Sequence, residues 1–574
     1  MNMLLHGISH ADIRQEDTLK KPQHREANNE LKRFDRVVAN PPFSQNYSRK
    51  ELQFPGRFPV FMPEKGKKAD LMFVQHMLAV LEHDGRLASV MPHGVLFRGG
   101  EEREARKHFI DNGLLEAVIG LPSNLFYGTG IPACIMVMNK VGAAQRDHVL
   151  FINADREYRE GKAQNHLRPE DIDKIIHAYR AKEEIPAYAR KVPKAEIAAE
   201  DYNCNIRRYV DNAPPPEPHD VRAHLHGGVP KVEVESLSHF WHNYPQLKDD
   251  IFVPRDASYL DFAPVVVDKR AIADMVANHQ SVTTRYEAFM RTISDWWQQN
   301  LPIVEALAPD AKNQKGLPKN VYVMRSSLLA SIELALAGQQ LLTPFQVRGA
   351  FANYVDTLKA DFKSIAASGW GPELIPDEDI LQSQFPEILE EQAEAQVSLV
   401  ELQALFAAAN EEGFEDVDDT GLMTSAQVKS LKAQLKEAKG QAKLCKKDPG
   451  MGDANTHLQH AADIEENLVR HKALEDKVKK LKVTIKAIET QRDALVQSAR
   501  EKITNDEARV AIIKRLEGLL MQNYKAYLSA YQRTCVAAIE SLWNKYAVTA
   551  KTIEHERDLA SSELKDFLVE LGYE

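Results

Sequence analysis

Residues 34–43, FDRVVANPPF, decide the fold class of this chain. The first six, Phe34–Ala39, form a short apolar run with paired valines, a composition that favours a β-strand. The two prolines after Asn40 cannot donate to a sheet ladder, so the strand must end before them. Asn40 therefore follows directly on the carboxyl end of a strand, which is where open α/β sheets place their ligands.

Strand and helix patterns alternate beyond this stretch. Helical periodicity and charge predict helices over 70–81, with Asp70 as N-cap, and over 101–110, while apolar runs predict strands over 86–91, 114–121 and 133–138. This alternation predicts an α/β sheet with helices on both faces. Only the loop 122–132 separates the last two strands, so we expect them to form an antiparallel pair.

Composition narrows the class of protein. The 574 residues allow about three to five domains, and 44% hydrophobic and 27% charged residues exclude wholesale disorder. The formal net charge is −10, so any DNA contact must come from a local patch or from a partner subunit. No apolar run approaches the roughly 18 residues of a membrane helix, and the first residues do not have the pattern of a secretory signal.

The cysteines give no sign of a metal site. Cys134, Cys204, Cys445 and Cys535 lie far apart and form no C-x-x-C pair. This spacing argues against a zinc site and against a disulfide framework. We therefore expect no metal and a reducing, cytoplasmic setting.

The rest of the chain is predicted to be helical. The segment NAPPPEPH at 212–219 is a proline-rich linker. Thr424 and Gln427 form a capping box, and apolar residues follow at heptad spacing on both sides of a break at 447–450. These patterns predict an antiparallel coiled-coil hairpin, with two ordinary amphipathic helices as the alternative. The predicted boundaries are a domain 1–211, a linker 212–229, a helical domain 230–420, the hairpin 421–504 and C-terminal helices 505–574.

The tetrapeptide Asn40-Pro41-Pro42-Phe43 suits one particular chemistry. An exocyclic amine becomes a better nucleophile when both of its N–H groups point at acceptors, and the Asn40 side-chain oxygen and the Pro41 carbonyl could serve as these acceptors. The prolines fix the backbone in advance, and Phe43 offers a face on which a flipped-out base can stack. The alternative is a simple strand-ending turn. The tetrapeptide resembles the catalytic motif [DNS]-P-P-[YFW] of amino-group DNA methyltransferases, and Asn with Phe resembles the adenine-N6 branch.

Further segments resemble the modification subunit of type I restriction–modification systems. They are GRLASVMPHGVLF at 85–97, EAVIGLPSNLF at 116–126 and NCNIRRYV at 203–210. The resemblance implies a Rossmann-like methyltransferase domain that uses S-adenosylmethionine (SAM), followed by helices. It also implies that the partners are DNA, a specificity subunit, a restriction subunit and a second modification subunit.

The resemblance assigns roles to two further features near the start of the chain. Asp17 matches a cofactor-motif aspartate that contacts the SAM adenine, although Glu16 stands where a glycine is usual; Asn40 is expected to line the cofactor site as well. The glycine-rich SAM motifs that precede this region in the family have no counterpart in the chain. We therefore expect a partial domain whose strand edge, at Val37 and Val38, is left unpaired, and which needs a complementing segment or partner to bind the cofactor.

Two alternatives to a DNA methyltransferase remain. One is a catalytically silent scaffold for the specificity subunit and DNA, and the other is a methyltransferase for RNA or for protein amide nitrogen. Two basic stretches could contact phosphates: the loop 59–68 with nearby Arg49, Lys50 and Arg57, and the lysines between 429 and 447. A solvated charged face is the alternative for both.

Overall fold

The structure, a computed structural model, describes Met3, Ile8 and residues 10–309, 320–412, 422–447 and 453–573. The strands are β1 (Phe34–Ala39), β2 (Leu81–Pro92), β3 (Leu115–Gly120), β4 (Ala133–Asn139), β5 (His148–Asn153), β6 (Ala189–Pro193), β7 (Val229–Pro230), β8 (Phe252–Pro254) and β9 (Tyr259–Phe262). The helices up to the middle of the chain are α1 (Asp70–Ala79), α2 (Glu101–Asp111), α3 (Pro169–Ala181), α4 (Lys194–Ala199), α5 (Ile206–Tyr209), α6 (Val221–His226), α7 (Lys231–Ser236), α8 (Ser238–Asn243), α9 (Leu247–Ile251), α10 (Lys269–Asn278) and α11 (Gln280–Glu305). Those beyond are α12 (Val321–Leu336), α13 (Pro344–Thr357), α14 (Lys359–Ser368), α15 (Asp377–Gln384), α16 (Pro386–Glu412), α17 (Ser425–Lys447), α18 (Ala454–Lys502), α19 (Asn505–Tyr546) and α20 (Ala550–Glu570).

The first six strands form one mixed sheet in the order β1-β2-β4-β3-β5-β6. β1 runs parallel to β2, and β3 runs parallel to β5, whereas β4 is antiparallel to both β2 and β3. The predicted α/β sheet and the predicted antiparallel pair β3–β4 are confirmed. Because of these directions, the carboxyl ends of β1, β2, β3 and β5 all lie at one edge of the sheet.

Helices cover both faces of the sheet at its centre. In β3, Leu115 and Val118 belong to one apolar cluster, which includes residues of α1 and α2. Ala117 and Ile119 point to the other face and belong to a second cluster, which includes Ile175 of α3. Alternating side chains of one strand thus enter two cores, as expected for a sheet buried on both sides.

β1 is different because only one of its faces is covered. Val37 and Ala39 pack against the first cluster, but the side chain of Val38 between them points to the other face and is 83% exposed. β1 also ends the sheet order, and among the described residues β2 is its only neighbour in that sheet. The unpaired apolar edge expected from the sequence is present in the structure.

A buried arginine joins the loop before α1 to the end of that helix. The Arg57 guanidinium is 5% exposed and donates to the carbonyls of Leu19, Thr18 and Gln53. It also lies 2.7 Å from His76 Nδ1, so the imidazole must be neutral to accept a hydrogen bond from it. Burial, reinforced by Arg57, lowers the pKa of His76 to about 4.

Acid should therefore destabilise the fold through His76. The pKa of His76 is lower in the folded chain than its unfolded value of 6.5, so the neutral imidazole contributes stability above pH 6.5. This contribution is lost as the pH falls towards about 4. We expect urea unfolding of the wild-type chain to lose about 2 kcal/mol between pH 7 and pH 5 through this group. His76→Gln, which keeps an acceptor for Arg57, should lose correspondingly less. The exposed His83 gives the matched control, since His83→Gln should leave the wild-type pH dependence unchanged.

The described chain forms two compact units. The first comprises 1–301, 322–358 and 519–574, and the second comprises 302–321 and 359–518. Within the first, α13 packs on α3: Arg348 pairs with Asp173 at 2.6 Å, and a Cβ on Gly349 would lie 2.7 Å from the Glu170 backbone. The structure thus groups helices from beyond the proline-rich linker with the sheet, so its units differ from the predicted domain boundaries. The short strands β7–β9 of this unit were not predicted.

The second unit contains the two predicted heptad helices. The Thr424 and Gln427 capping box is formed, with hydrogen bonds of 2.8 and 3.1 Å, and α17 begins at the next residue after Thr424. α17 packs on α18, and Lys439 near the end of α17 pairs with Glu465 near the start of α18, as in an antiparallel hairpin. α16 also packs on α18, a third helix that the heptad pattern did not predict. In neither unit does a described helix have the length and apolarity to cross a membrane.

Candidate functional site

Asn40 lies at the sheet edge where the carboxyl ends of four strands meet. Its side chain is exposed, and Pro41 behind it is half-buried. Neither the Asn40 side-chain amide nor the Pro41 carbonyl forms a hydrogen bond with another described residue. Both acceptors that the proposed chemistry needs are therefore free to bind a ligand amine.

The backbone after the tetrapeptide is held by the start of α1. Ser44 has φ +55°, in the left-handed region that non-glycine residues rarely adopt. Its N–H donates to Asp70 Oδ1 at 2.8 Å, and the Ala69 N–H donates to the Gln45 carbonyl at 3.0 Å. Asp70 was predicted as the N-cap of α1, but Ala69 holds that position and the carboxylate is used on Ser44. Asp70 therefore stabilises the strained turn that follows Phe43.

Asp70 belongs to a buried charged cluster beneath this turn. Its side chain is 1% exposed, its Oδ2 has no hydrogen-bond partner, and Arg98 Nη1 lies 3.8 Å away. Glu102 is buried beside it, 3.5 Å from Arg98 and 3.8 Å from Lys68. Burial raises the pKa of both carboxyl groups. Such a cluster fixes the position of α1 and, through it, of the turn.

Removing the Asp70 acceptor should loosen the tetrapeptide. For Asp70→Ala we expect the methyl transfer that the resemblance implies to slow about 10- to 100-fold in kcat, because misplacement by about 1 Å costs rate on that scale. Asp70→Asn retains an oxygen that can accept from Ser44 and should recover most of the rate. Steady-state kinetics and a thermal melt of each variant would check this, and equal losses for Ala and Asn would contradict the positioning role.

An aromatic side chain from a distant loop faces Phe43. Phe126, in the loop between β3 and β4, meets Phe43 edge to face, with ring centroids 6.0 Å apart. Tyr127 next to it is 89% exposed. A base stacked on Phe43 would thus also meet the ring of Phe126. Phe126 was not predicted to be part of the site.

His93 follows the carboxyl end of β2 at the same sheet edge. Its ring meets Phe97 at 5.9 Å, and its backbone N–H donates to Pro132 at 3.2 Å. Burial and the charge of Arg207 lower the pKa of His93, and Arg207 is itself paired with Asp155 at 2.8 Å. His93 is thus held neutral at physiological pH.

Asp17 lies elsewhere. Its Oδ1 accepts hydrogen bonds from the N–H groups of Leu19 and Lys20, so the carboxylate caps its own turn. Its neighbours Glu16 and Thr18 line a cavity together with Phe34, the first residue of β1. Asn40 follows the other end of that strand, about 20 Å away at roughly 3.3 Å per residue. The structure does not bring the two predicted cofactor residues together.

The residues that the structure describes around Asn40 do not form a cradle for SAM. No glycine-rich turn between a strand and a helix lies beside Asn40 in the described ranges, and the Asp17 carboxylate is already used. Likewise, no cluster of three or more His, Cys, Asp or Glu suited to a metal occurs in the part of the chain that the structure describes. None of the four cysteines forms a disulfide bond, and all four are buried.

One cation of the predicted basic loop is not available to a ligand. Arg57 is buried, and its guanidinium donates to the main-chain carbonyls of Leu19 and Gln53. Arg49 lies over the Phe61 ring at 4.8 Å and donates to Met62. Lys50 and Lys65 remain exposed, so only part of this loop could meet phosphates.

Sequence comparison relates this region of the chain to a known family. Residues 1–217, which include the sheet edge around Asn40, match the N-6 DNA methylase family. The chain is 34% identical over 238 residues to the type I restriction enzyme MpnII methylase subunit of Mycoplasma pneumoniae, covering 39% of this chain and 43% of that one. It is 36% identical over 235 residues to the MjaVIII methylase subunit of Methanocaldococcus jannaschii, covering 38% and 40%.

These relatives confirm the resemblance to type I methylase subunits over the N-terminal region. A crystal structure of the type I methyltransferase subunit from Streptococcus thermophilus is 37% identical to the chain over 37% of this chain and 45% of that one, with a TM-score of 0.34. The chain spans less than half the length of these relatives. Its helical region beyond residue 217 lies outside the family match.

Proposed function

We propose that this chain is the modification subunit of a type I restriction–modification system and methylates adenine N6 in DNA, with SAM as methyl donor. The observation that carries the proposal is the free Asn40 amide oxygen and Pro41 carbonyl at the sheet edge, next to the facing rings of Phe43 and Phe126. The match of residues 1–217 to the N-6 DNA methylase family supports it.

The residues of this chain prepare the adenine. A base flipped out of the duplex stacks on Phe43, with Phe126 as a second wall. The two amino hydrogens are donated to Asn40 and Pro41, which draws the nitrogen lone pair out of conjugation with the ring. Because both acceptors are fixed before the base arrives, little ordering cost remains for the reaction. No general base needs to remove a proton before the methyl group is transferred, which agrees with the lack of a titratable group on the tetrapeptide. The proton that the methylated N6 then loses can pass to water.

The methyl donor requires a further segment in this proposal. The described residues do not surround SAM, and β1 presents an unpaired edge and a bare face beside Asn40. We propose that a complementing segment or partner covers β1 and completes the cofactor site, with Asp17 contacting the SAM adenine and Asn40 lining the site once that segment is bound. Open strand edges are well suited to adding a strand in this way.

The partners follow from the proposed role. They are DNA, a specificity subunit that reads the sequence, a restriction subunit and a second modification subunit, all in the cytoplasm. The relatives are methylase subunits of type I restriction enzymes by name, which supports assembly with such subunits.

A second candidate is a catalytically silent scaffold. The position of Asp17 away from Asn40 favours it, since a chain that never completes its cofactor site would still offer long helices for assembly. Transfer of labelled methyl groups from SAM to duplex DNA, measured on the complex isolated through a tag on this chain, separates the two. Label appearing as N6-methyladenine supports the enzyme, whereas an intact complex that transfers none supports the scaffold.

A further inference from the structure

The outer surface of α17 carries a regular line of lysines. Six exposed lysines follow each other at alternating steps of three and four residues; they are Lys429, Lys432, Lys436, Lys439, Lys443 and Lys446. Residues three and four apart lie on the same helix face, so these side chains form one continuous row, named the lysine row below. At 1.5 Å per residue the row is about 25 Å long.

The lysine row is not part of the helix packing. The buried side of α17 consists of Ala438, Ala442 and Cys445, at the heptad positions that face α18. Three lysines of the row, Lys439, Lys443 and Lys446, each follow one of these buried residues directly in the sequence. Each of its lysines can therefore point into solvent without disturbing the packing of the hairpin.

Within α17 itself, little negative charge balances the row. Glu437 is the only acidic residue in α17, against seven lysines. In the described residues, an ion pair joins the row to an acid only at Lys439, which meets Glu465 of α18. Like charges three and four residues apart destabilise a helix, so the row is unfavourable for folding by itself. Such a concentration of positive charge in a chain of net charge −10 points to a polyanion outside the chain as its binding partner.

We propose that the lysine row binds the phosphate backbone of duplex DNA without reading its sequence. Protein interfaces are depleted of lysine and enriched in aromatic residues and arginine at their centres, and the row contains neither. Lysine instead serves as a compact point charge for phosphates. The choice of DNA over RNA rests on the proposed function, but the electrostatic argument does not. This binding surface is separate from the tetrapeptide and is built by residues outside the family match.

The test measures DNA binding of the full chain by fluorescence anisotropy with a labelled 30-base-pair duplex, in the absence of SAM. The variant replaces the five row lysines other than Lys439 by glutamine, which favours helix and keeps the stem of the side chain. The control makes the same charge change at five exposed lysines elsewhere, which are Lys231, Lys363, Lys525, Lys551 and Lys565. A third variant replaces the five row lysines by arginine, which restores the charge.

Each phosphate neutralised contributes about 0.9 to the slope of log affinity against log salt. The row variant should therefore bind about 10-fold or more weakly at roughly 0.1 M salt, with a slope reduced by about 2 to 5. The slope of the control should fall by less than half as much as that of the row variant. The arginine variant should bind like the wild type. Circular dichroism and a thermal melt check that the variants fold.

Several results would overturn the proposal. They are a wild-type chain that does not bind the duplex, a row variant that binds as the control does, and an arginine variant that binds as weakly as the glutamine variant. A row variant that binds DNA normally but no longer retains a protein partner would also overturn it, in favour of an acidic protein surface. Because no methyl transfer is measured, a silent catalytic site would leave this test unaffected, which separates its failure from that of the proposed function.

Discussion

In the proposed methyltransferase, Asn40→Ala should slow adenine methylation by at least two orders of magnitude while leaving the assembly intact. The substitution removes one of the two acceptors that draw the amine out of conjugation, and loss of a single preorganised acceptor of this kind costs about 100- to 1,000-fold in kcat. The stability of the chain should hardly change, since the side chain is exposed and makes no hydrogen bond to another described residue. The readout is N6-methyladenine formed per complex, together with the elution volume of the complex.

The matched control is Asn112, an exposed asparagine that follows α2 at the opposite edge of the sheet. Asn112→Ala should methylate at the wild-type rate. If Asn40→Ala also kept that rate, the tetrapeptide would be a simple strand-ending turn, and the methyltransferase proposal would lose its main support. Loss of the complex itself would assign Asn40 to assembly and not to chemistry.

In the proposed complex, Val38→Lys should weaken SAM binding about 100-fold without unfolding this chain. Val38 is 83% exposed, so the substitution should change the free energy of unfolding of the chain by less than about 0.5 kcal/mol. When a complementing segment covers β1, the lysine would be buried without a partner, which costs on the order of 3 kcal/mol, or about 100-fold in affinity. Isothermal titration of the complex with SAM measures the loss.

Val267 is the control for this second prediction, because it is 78% exposed and lies outside the sheet. Val267→Lys should bind SAM normally, and Val38→Ile, which keeps an apolar side chain, should do the same. A Val38→Lys complex with wild-type affinity for SAM would mean that nothing packs on this face of β1. The exposed valine would then be an ordinary feature of an edge strand.

The strands β1, β3 and β4 could be predicted from the sequence, because their patterns are local. β1 spans the predicted residues 34–39, and the capping box at Thr424 is formed as its spacing requires. The start of β2 was missed: it begins at Leu81, although Asp84-Gly85 is typical of a turn. The register between β1 and β2 is irregular: Phe34 pairs with Leu81, but Arg36 pairs with Arg86. The extra residues of β2 between these two pairs include the turn-like Asp84-Gly85.

The missed features depend on contacts between distant parts of the chain. Phe126 becomes part of the site only because the loop after β3 folds back to Phe43, which no local pattern encodes. The role of Asp70 likewise depends on Ser44, which lies 26 residues earlier. The strands β7–β9 are two to four residues long, too short to show an alternating pattern. Asp17 remains a predicted cofactor residue, since its motif is recognisable while its carboxylate caps a local turn.

In the proposed function, this chain supplies the base-holding half of a methylation site and gains its cofactor site from a complementing segment. Isothermal titration of SAM into the purified chain and, separately, into the complex isolated with it tests this division. We expect no detectable heat of binding to the chain alone and micromolar binding to the complex. Micromolar binding to the chain alone would contradict this division, because the cofactor site would then be complete within these residues.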